Sequence, residues 1–175
     1  ERFLHAGDGR LAIWRTALRI IASHPVLGVG PGGFSSVLPA FKPAGVEVDW
    51  VHAHNDYLQV AAEFGLPATL LLLYGLWRWL RAVASVVRDP ANPHRPFAAA
   101  ALAGVIAMLA HSVVDFNLRI PSNAILFSIL LGSGLATVPA TARPSSRLGV
   151  VLPLAFAFVT VASYSAYSSA SARLA

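Results

Sequence analysis

Two histidines and an aspartate lie within a few residues of each other where a long apolar stretch begins. Residues 52–57 read HAHNDY, and the apolar stretch starts near Leu58. Titratable groups at a water–lipid boundary are costly, so their presence there indicates a function. His52, His54 and Asp56 therefore form a candidate site.

Four interpretations of this cluster are open. The spacing His-x-His-x-Asp resembles the first ligand stretch of metallo-hydrolases, although such a site needs more ligands, and few are spare: Glu47, Asp49, His111 and Asp115. A neutral histidine can instead act as a general base on a hydroxyl nucleophile. Intramembrane His and Asp can also relay protons or ions. The fourth interpretation is structural, with Asn55 or Asp56 as the N-cap of the following helix.

Three arginines precede the cluster on a predicted helix over residues 10–22. Its apolar stripe is expected to consist of Leu11, Trp14, Leu18 and Ile21. Arg15 and Arg19 are one turn apart on another face, and Arg10 lies near the helix start, where backbone N–H groups favour anions. Because a guanidinium binds phosphate oxygens bidentately, the three are candidate phosphate ligands; solvent or lipid headgroups are the alternative contacts.

A glycine-rich loop follows this helix at residues 28–33, which read GVGPGG. Pro31 removes a backbone donor and no Lys-Ser/Thr pair follows, so the loop is not a P-loop. Gly and Pro here predict a tight turn.

The composition indicates an integral membrane protein. The chain is 56% hydrophobic and 12% charged, with a mean hydropathy of +0.63, whereas soluble domains carry about 25% charged residues. Lys occurs once, at Lys42, and the arginines are scattered, so nucleic acid is not an expected partner. The absence of Cys excludes disulfides and thiolate metal sites within these 175 residues.

Four membrane spans are predicted, at about residues 57–80, 96–114, 122–138 and 148–167, in an all-α polytopic fold. Arginines cluster in the connections after the first and third spans, which the positive-inside rule places in the cytoplasm. His54 and Asp115 then lie on the same outer face. The expected organisation is a mostly helical periplasmic loop region (1–57), a four-helix transmembrane region (58–168) and a tail (169–175), as the C-terminal portion of a larger protein.

Three stretches resemble the O-antigen ligase/polymerase superfamily of bacterial inner-membrane glycosyltransferases. Residues 9–14 (GRLAIW) and 24–34 (HPVLGVGPGGF) resemble its "GR…W…hPl.GvG.g.F" pattern. Residues 51–59 (VHAHNDYLQ) and 63–67 (EFGLP) are similar to its "HN..L…E.G..G" signature, with Pro67 in place of a common Gly. Residues 111–121 (HSVVDFNLRIP) with Asn123 resemble its "HSlvDf.l.iPan" segment.

This resemblance implies a donor glycan on undecaprenyl pyrophosphate, presented at the periplasmic face of the bacterial inner membrane. The acceptor is lipid A–core, another glycan or, in related enzymes, a protein, and neither a metal nor another cofactor is implied. The family's essential histidine and arginine match His54 and Arg10, the expected catalytic residues. Candidate substrate-binding residues are Arg15, Arg19, Asp56, Asp115 and Arg119.

The resemblance leaves two alternatives to ligation onto lipid A–core or glycan. One is a protein O-oligosaccharyltransferase of the same superfamily. The other is a component of a polysaccharide transporter or flippase, in which His111 and Asp115 would relay ions; their position at the outer end of the second span argues against this. Arginines of the absent first half of the family's helices would be needed for activity, so this portion is expected to be inactive alone.

Overall fold

The structure, a computed structural model, describes residues 6–43 and 50–140. Within these ranges the chain is helical and has no strands, which confirms the all-α prediction there. The elements are α1 (Ala6–Ser23), α2 (Phe34–Phe41), α3 (Asp56–Arg88), α4 (Arg95–His111), a 3-10 helix (Asn117–Arg119) and α5 (Pro121–Thr137). The predicted fourth span (148–167) and tail (169–175) lie outside the described residues.

The first three predicted spans correspond to α3, α4 and α5. Of the helices that the structure describes, α3 is the one with both the length and the apolar composition to cross a membrane. The other two are apolar but shorter, with 17 residues each. One candidate membrane helix is therefore present in this part of the chain, and the multi-pass topology stays a prediction.

Contacts divide the described residues into two units. The first comprises the described residues up to Leu70 together with Ser112–Phe116, and its core joins α1, α2 and the start of α3. The face of α1 that enters this core carries Ile13, Ala17 and Ile20.

The predicted apolar stripe of α1 was partly wrong. Leu11 and Leu18 are exposed, at 51% and 54%, while Ile21 of the predicted stripe is buried. Leu11 and Leu18 recur at helical spacing, but so do Ile13, Ala17 and Ile20 on the neighbouring face of the helix. Contacts with α2 and α3, which the local sequence does not contain, decide between the two faces.

α3 is broken at Gly65, which has φ 79° and ψ 170°. A β-carbon at this position would lie 2.1 Å from the carbonyl oxygen of Val26, so only glycine fits. Pro67 lies at the start of the second helical segment. A backbone N–H at this position would have no partner within the helix, so its absence in proline costs no hydrogen bond. The expected continuous first span is therefore two segments, 56–64 and 66–88, and the second would measure about 34 Å.

The glycine-rich loop packs on this break. The N–H groups of Val29 and Gly30 donate to the carbonyl oxygens of Ala62 and Glu63, at 2.9 and 3.0 Å. From the other side, the N–H of Leu66 donates to the carbonyl oxygen of Pro25 at 2.8 Å. The loop thus satisfies polar groups that the broken helix leaves without intrahelical partners, consistent with the turn predicted from its sequence.

The second unit comprises Leu71–His111 and the described residues 117–140. The end of α3 packs there against α4 and α5. Trp79 donates from Nε1 to the carbonyl oxygen of Leu131 at 2.8 Å, and Gly134 leaves room for its ring. Large apolar side chains of this unit are exposed on all three helices: Leu71, Trp77, Phe97, Ile106, Ile125 and Ile129.

Candidate functional site

The start of α3 orders the residues that carry the predicted chemistry. Asn55 caps the helix, because its Oδ1 accepts the N–H of Leu58 at 3.0 Å. Of the two N-caps predicted from the sequence, Asn55 is the one observed. The N–H of Asp56 donates to the carbonyl oxygen of Ser112 at 2.9 Å, which ties the segment Ser112–Phe116 to the helix start.

This tie brings His54 next to Asp115. The His54 Nδ1 and Asp115 Oδ1 atoms are 3.5 Å apart, and the two side chains are 34% and 39% exposed. The same carboxylate oxygen accepts the N–H of Phe116 at 2.8 Å, which holds it in place. A proton on His54 Nδ1 would face the carboxylate, and Nε2 would then be left to accept a proton.

The ring of Phe116 lies between the two histidines of the cluster. It stacks on His52, with ring centroids 4.7 Å apart, and meets His54 edge-on at 5.1 Å. Aromatic contacts of this kind orient rings and exclude water from one side of them. Phe116 is a site residue that the sequence reasoning missed, although it is adjacent to Asp115.

His54 also has an uncommon backbone conformation. Its φ is 49°, and it is the one non-glycine residue with positive φ in the described part of the chain. A side chain in this region costs of the order of 1–3 kcal/mol and persists only where surrounding contacts hold it. Such conformations concentrate at functional sites.

Two buried polar residues of α3 complete the site. Gln59 is 2% exposed and Glu63 is 0% exposed. Gln59 donates to Glu63 Oε1 and contacts His52 Nδ1, each at 3.1 Å, and it accepts the N–H of Ala53 at 3.1 Å. The sequence reasoning missed Gln59, and for Glu63 it left open a hydrogen bond within the helix or a catalytic role. The helical spacing of the two was the signal that could have linked them.

The other predicted site residues are placed as follows. Arg10, Arg15 and Arg19 are exposed on α1, and the structure shows no hydrogen bond or ion pair between them and His54. α1 begins at Ala6, so Arg10 lies one turn inside the helix rather than at its start. Asp56 is 4% exposed in the first turn of α3, and Arg119 ends the 3-10 helix of the second unit. Their roles as substrate ligands stay predictions.

Metal-binding residues were one interpretation of the cluster. Within residues 6–43 and 50–140, no three His, Asp or Glu side chains are grouped closely enough to hold a metal ion. Glu47 and Asp49, two of the spare ligands considered from the sequence, lie outside those ranges.

In the described residues, which form an all-helical chain, a histidine–carboxylate contact lies beside a broken helix. Comparison with protein families indicates what this part of the chain resembles. The family described as O-antigen ligase matches residues 3–73, which confirms the resemblance for that part of the chain. Neither a curated protein nor a solved structure matches the chain.

The matched residues include Arg10, His54 and the break at Gly65, whereas Asp115 and Arg119 lie beyond them. This family consists of inner-membrane proteins of the glycosyltransferase or ligase type. Over residues 3–73 the chain is therefore similar to proteins that ligate or polymerise glycans, which use a glycan donor and an acceptor.

Proposed function

We propose that the protein transfers a glycan from undecaprenyl pyrophosphate to an acceptor hydroxyl at the periplasmic face of the inner membrane. The acceptor is lipid A–core or another glycan. The observation that carries the proposal is the contact between His54 Nδ1 and Asp115 Oδ1 at 3.5 Å. His54 lies within the residues that match the family.

In the proposed reaction His54 acts as general base. The acceptor hydroxyl oxygen attacks the anomeric carbon while its proton moves to His54 Nε2. The bond from the anomeric carbon to the phosphate oxygen breaks, and undecaprenyl pyrophosphate leaves with the bonding electrons. A single displacement of this kind inverts the anomeric configuration.

Asp115 supports this role electrostatically. Its carboxylate favours a proton on Nδ1 of His54, which leaves Nε2 unprotonated before the transfer, and it stabilises the imidazolium formed afterwards. At 3.5 Å the contact is longer than a strong hydrogen bond. Catalytic contacts often shorten only when substrate binds.

Arg10 is proposed to stabilise the charge that develops on the leaving pyrophosphate. Arg15 and Arg19 share its helix and are exposed, so they could bind the same phosphates. The lipid tail of the donor would stay in the membrane beside α3 while its sugars stay in water. The organisation proposed for this is a periplasmic region (1–57) followed by a four-span membrane region (58–168).

The polysaccharide and lipopolysaccharide of the native host test this proposal. Strains with the gene deleted, with His54→Ala and with Arg10→Ala in the full-length protein should accumulate undecaprenyl-linked glycan and lack the same product on gels. The missing product identifies the acceptor, and loss of a glycoprotein alone would indicate protein glycosylation instead. Normal products in both point mutants would contradict the proposal, and failure of the glycan to reach the periplasm would favour a transporter.

A further inference from the structure

The positive φ of His54 requires contacts that hold the preceding residues in place. The neighbouring Ala53 is fully buried, and its N–H is bonded to a side chain rather than to the backbone of a helix or strand. That side chain is Gln59, in the second turn of α3. The conformation at His54 is thus fixed from one side by a single amide group.

The side-chain amide of Gln59 makes three hydrogen bonds. Its Oε1 accepts the Ala53 N–H, and its Nε2 donates to Glu63 Oε1 and to His52 Nδ1, all at 3.1 Å. An amide nitrogen donates only, so His52 accepts at Nδ1 and carries its proton on Nε2. The opposite amide orientation would set the amide oxygen against the Glu63 carboxylate and the N–H groups against Ala53, so the network permits one orientation.

Glu63 accepts a hydrogen bond from Gln59 and is itself held in place. A buried carboxylate is costly without hydrogen-bond donors, and Gln59 supplies one from the preceding turn. The backbone at Glu63 is itself held, because its carbonyl oxygen accepts the N–H of Gly30. The chain of contacts therefore runs from the glycine-rich loop through Glu63 and Gln59 to the residues just before His54.

We propose that Gln59 and Glu63 are positioning residues that hold His54 in its productive conformation. Glu63 orients the Gln59 amide, and the amide fixes His52 and Ala53, so that His54 projects toward Asp115. This inference rests on the proposed role of His54 as the base. It assigns a function to the two most buried polar side chains of α3's first segment, neither of which contacts substrate in the proposed reaction.

Paired substitutions in the full-length protein test this role by transfer kinetics in vesicles. Gln59→Met removes all three bonds at similar volume, and Glu63→Met removes the end of the network. Each should lower kcat about 10- to 100-fold and leave the KM for the donor within about twofold, because misplaced catalytic groups lose rate rather than binding. Glu63→Gln keeps an accepting oxygen for Gln59 and should stay within about threefold of wild type.

Thr16→Val is the matched control. It removes another buried polar group of the same unit, bonded only within α1, and should leave kcat within about twofold. In a His54→Ala background, Gln59→Met should cause no further loss, because a positioning residue acts only through the residue it positions.

The outcomes separate the two proposals. Full activity in His54→Ala would overturn the proposed function itself. A large loss in His54→Ala with normal kcat in Gln59→Met would overturn only the positioning role. An additional loss in the double variant, or failure of both methionine variants to accumulate while Thr16→Val does, would show that the pair stabilises the fold and would equally overturn it.

Discussion

Contacts from three sides surround His54 and the backbone that precedes it. Asp115 faces its Nδ1, Phe116 packs on its edge, and the backbone before it is tied to Gln59. The side chain is 34% exposed, which leaves the ring accessible to a substrate. The proposed removal of a proton from a sugar hydroxyl needs a base that is held in place and has one nitrogen free to accept the proton.

Asp115→Asn should reduce turnover while preserving donor binding. The substitution keeps the shape but removes the negative charge that stabilises the protonated His54. We expect kcat to fall about 10- to 100-fold, less than for a fully buried carboxylate because the pair is partly solvated. Transfer kinetics of the full-length enzyme measure this, with Asp89→Asn in an exposed connection as the control. An unchanged kcat would exclude Asp115 from the mechanism.

Arg10→Lys tests whether the α1 arginine acts through its planar fork or through charge alone. Lysine keeps the charge but loses bidentate contact with phosphate oxygens. We expect transfer to fall about 10-fold for Lys and about 100-fold or more for Ala. Arg88→Lys, at the exposed end of α3, should have no effect. Equal activity of wild type and Arg10→Ala would remove Arg10 from the site.

The sequence pointed to the histidine cluster and to Asp115 because the residue types were unusual for their surroundings. It did not identify Gln59, because a glutamine on a helix has no chemical signature of its own. It also did not predict the backbone of His54. A positive φ at a non-glycine residue depends on tertiary contacts, such as the hydrogen bond from the preceding Ala53 N–H to Gln59, which are visible only once the chain is folded.

At the scale of elements, the break in α3 is the central feature. The helix stops at Gly65, and the loop containing Gly28 crosses it so closely that a β-carbon on Gly28 would lie 2.4 Å from the Glu63 backbone. The two glycines therefore permit one backbone to cross another. Broken helices in membrane proteins expose backbone N–H and carbonyl groups at the break, whereas a continuous helix uses these groups in its own hydrogen bonds.

Gly65→Ala should destabilise the protein. The added methyl group meets the Val26 carbonyl, and the positive φ is unfavourable for alanine. We expect a loss of about 2 kcal/mol or more, equivalent to a drop in Tm of about 4–8 °C. Thermal unfolding in detergent, followed by tryptophan fluorescence, measures this.

Gly9→Ala provides the control for that measurement. Gly9 lies within α1, and a β-carbon there would meet nothing within 4 Å. Alanine should leave Tm unchanged or raise it slightly, since it favours the helix. Equal Tm values for Gly65→Ala and Gly9→Ala would show that the crossing is not needed for stability.

The positions of α3, α4 and α5 were predictable from the sequence, whereas α2, the helix faces and the break were not. α4 and α5 begin within one residue of the predicted spans because apolar runs and flanking polar residues mark their ends. The choice between Leu11/Leu18 and Ile13/Ile20 on α1 depended on tertiary packing. The break at Gly65 was not predicted because its glycine and proline lie inside one predicted membrane span.

For the whole molecule, the account requires that the two ends of α3 lie on opposite sides of the membrane. Single-cysteine labelling of the full-length protein tests this, with any Cys outside these 175 residues, which contain none, replaced by Ser. With a membrane-impermeant maleimide on intact spheroplasts, Lys42→Cys should react, whereas Asn92→Cys should react only after lysis. Labelling of both positions in intact spheroplasts would contradict the proposed topology.

The central claim is that His54 removes the proton in glycan transfer. The most direct test is the transfer rate of the purified full-length protein with undecaprenyl-pyrophosphate-linked glycan and its acceptor, compared between wild type and His54→Ala. The account predicts a fall of about 10²- to 10⁴-fold at neutral pH with donor binding retained. A His54→Ala rate within about threefold of wild type, for protein of normal Tm, would contradict it.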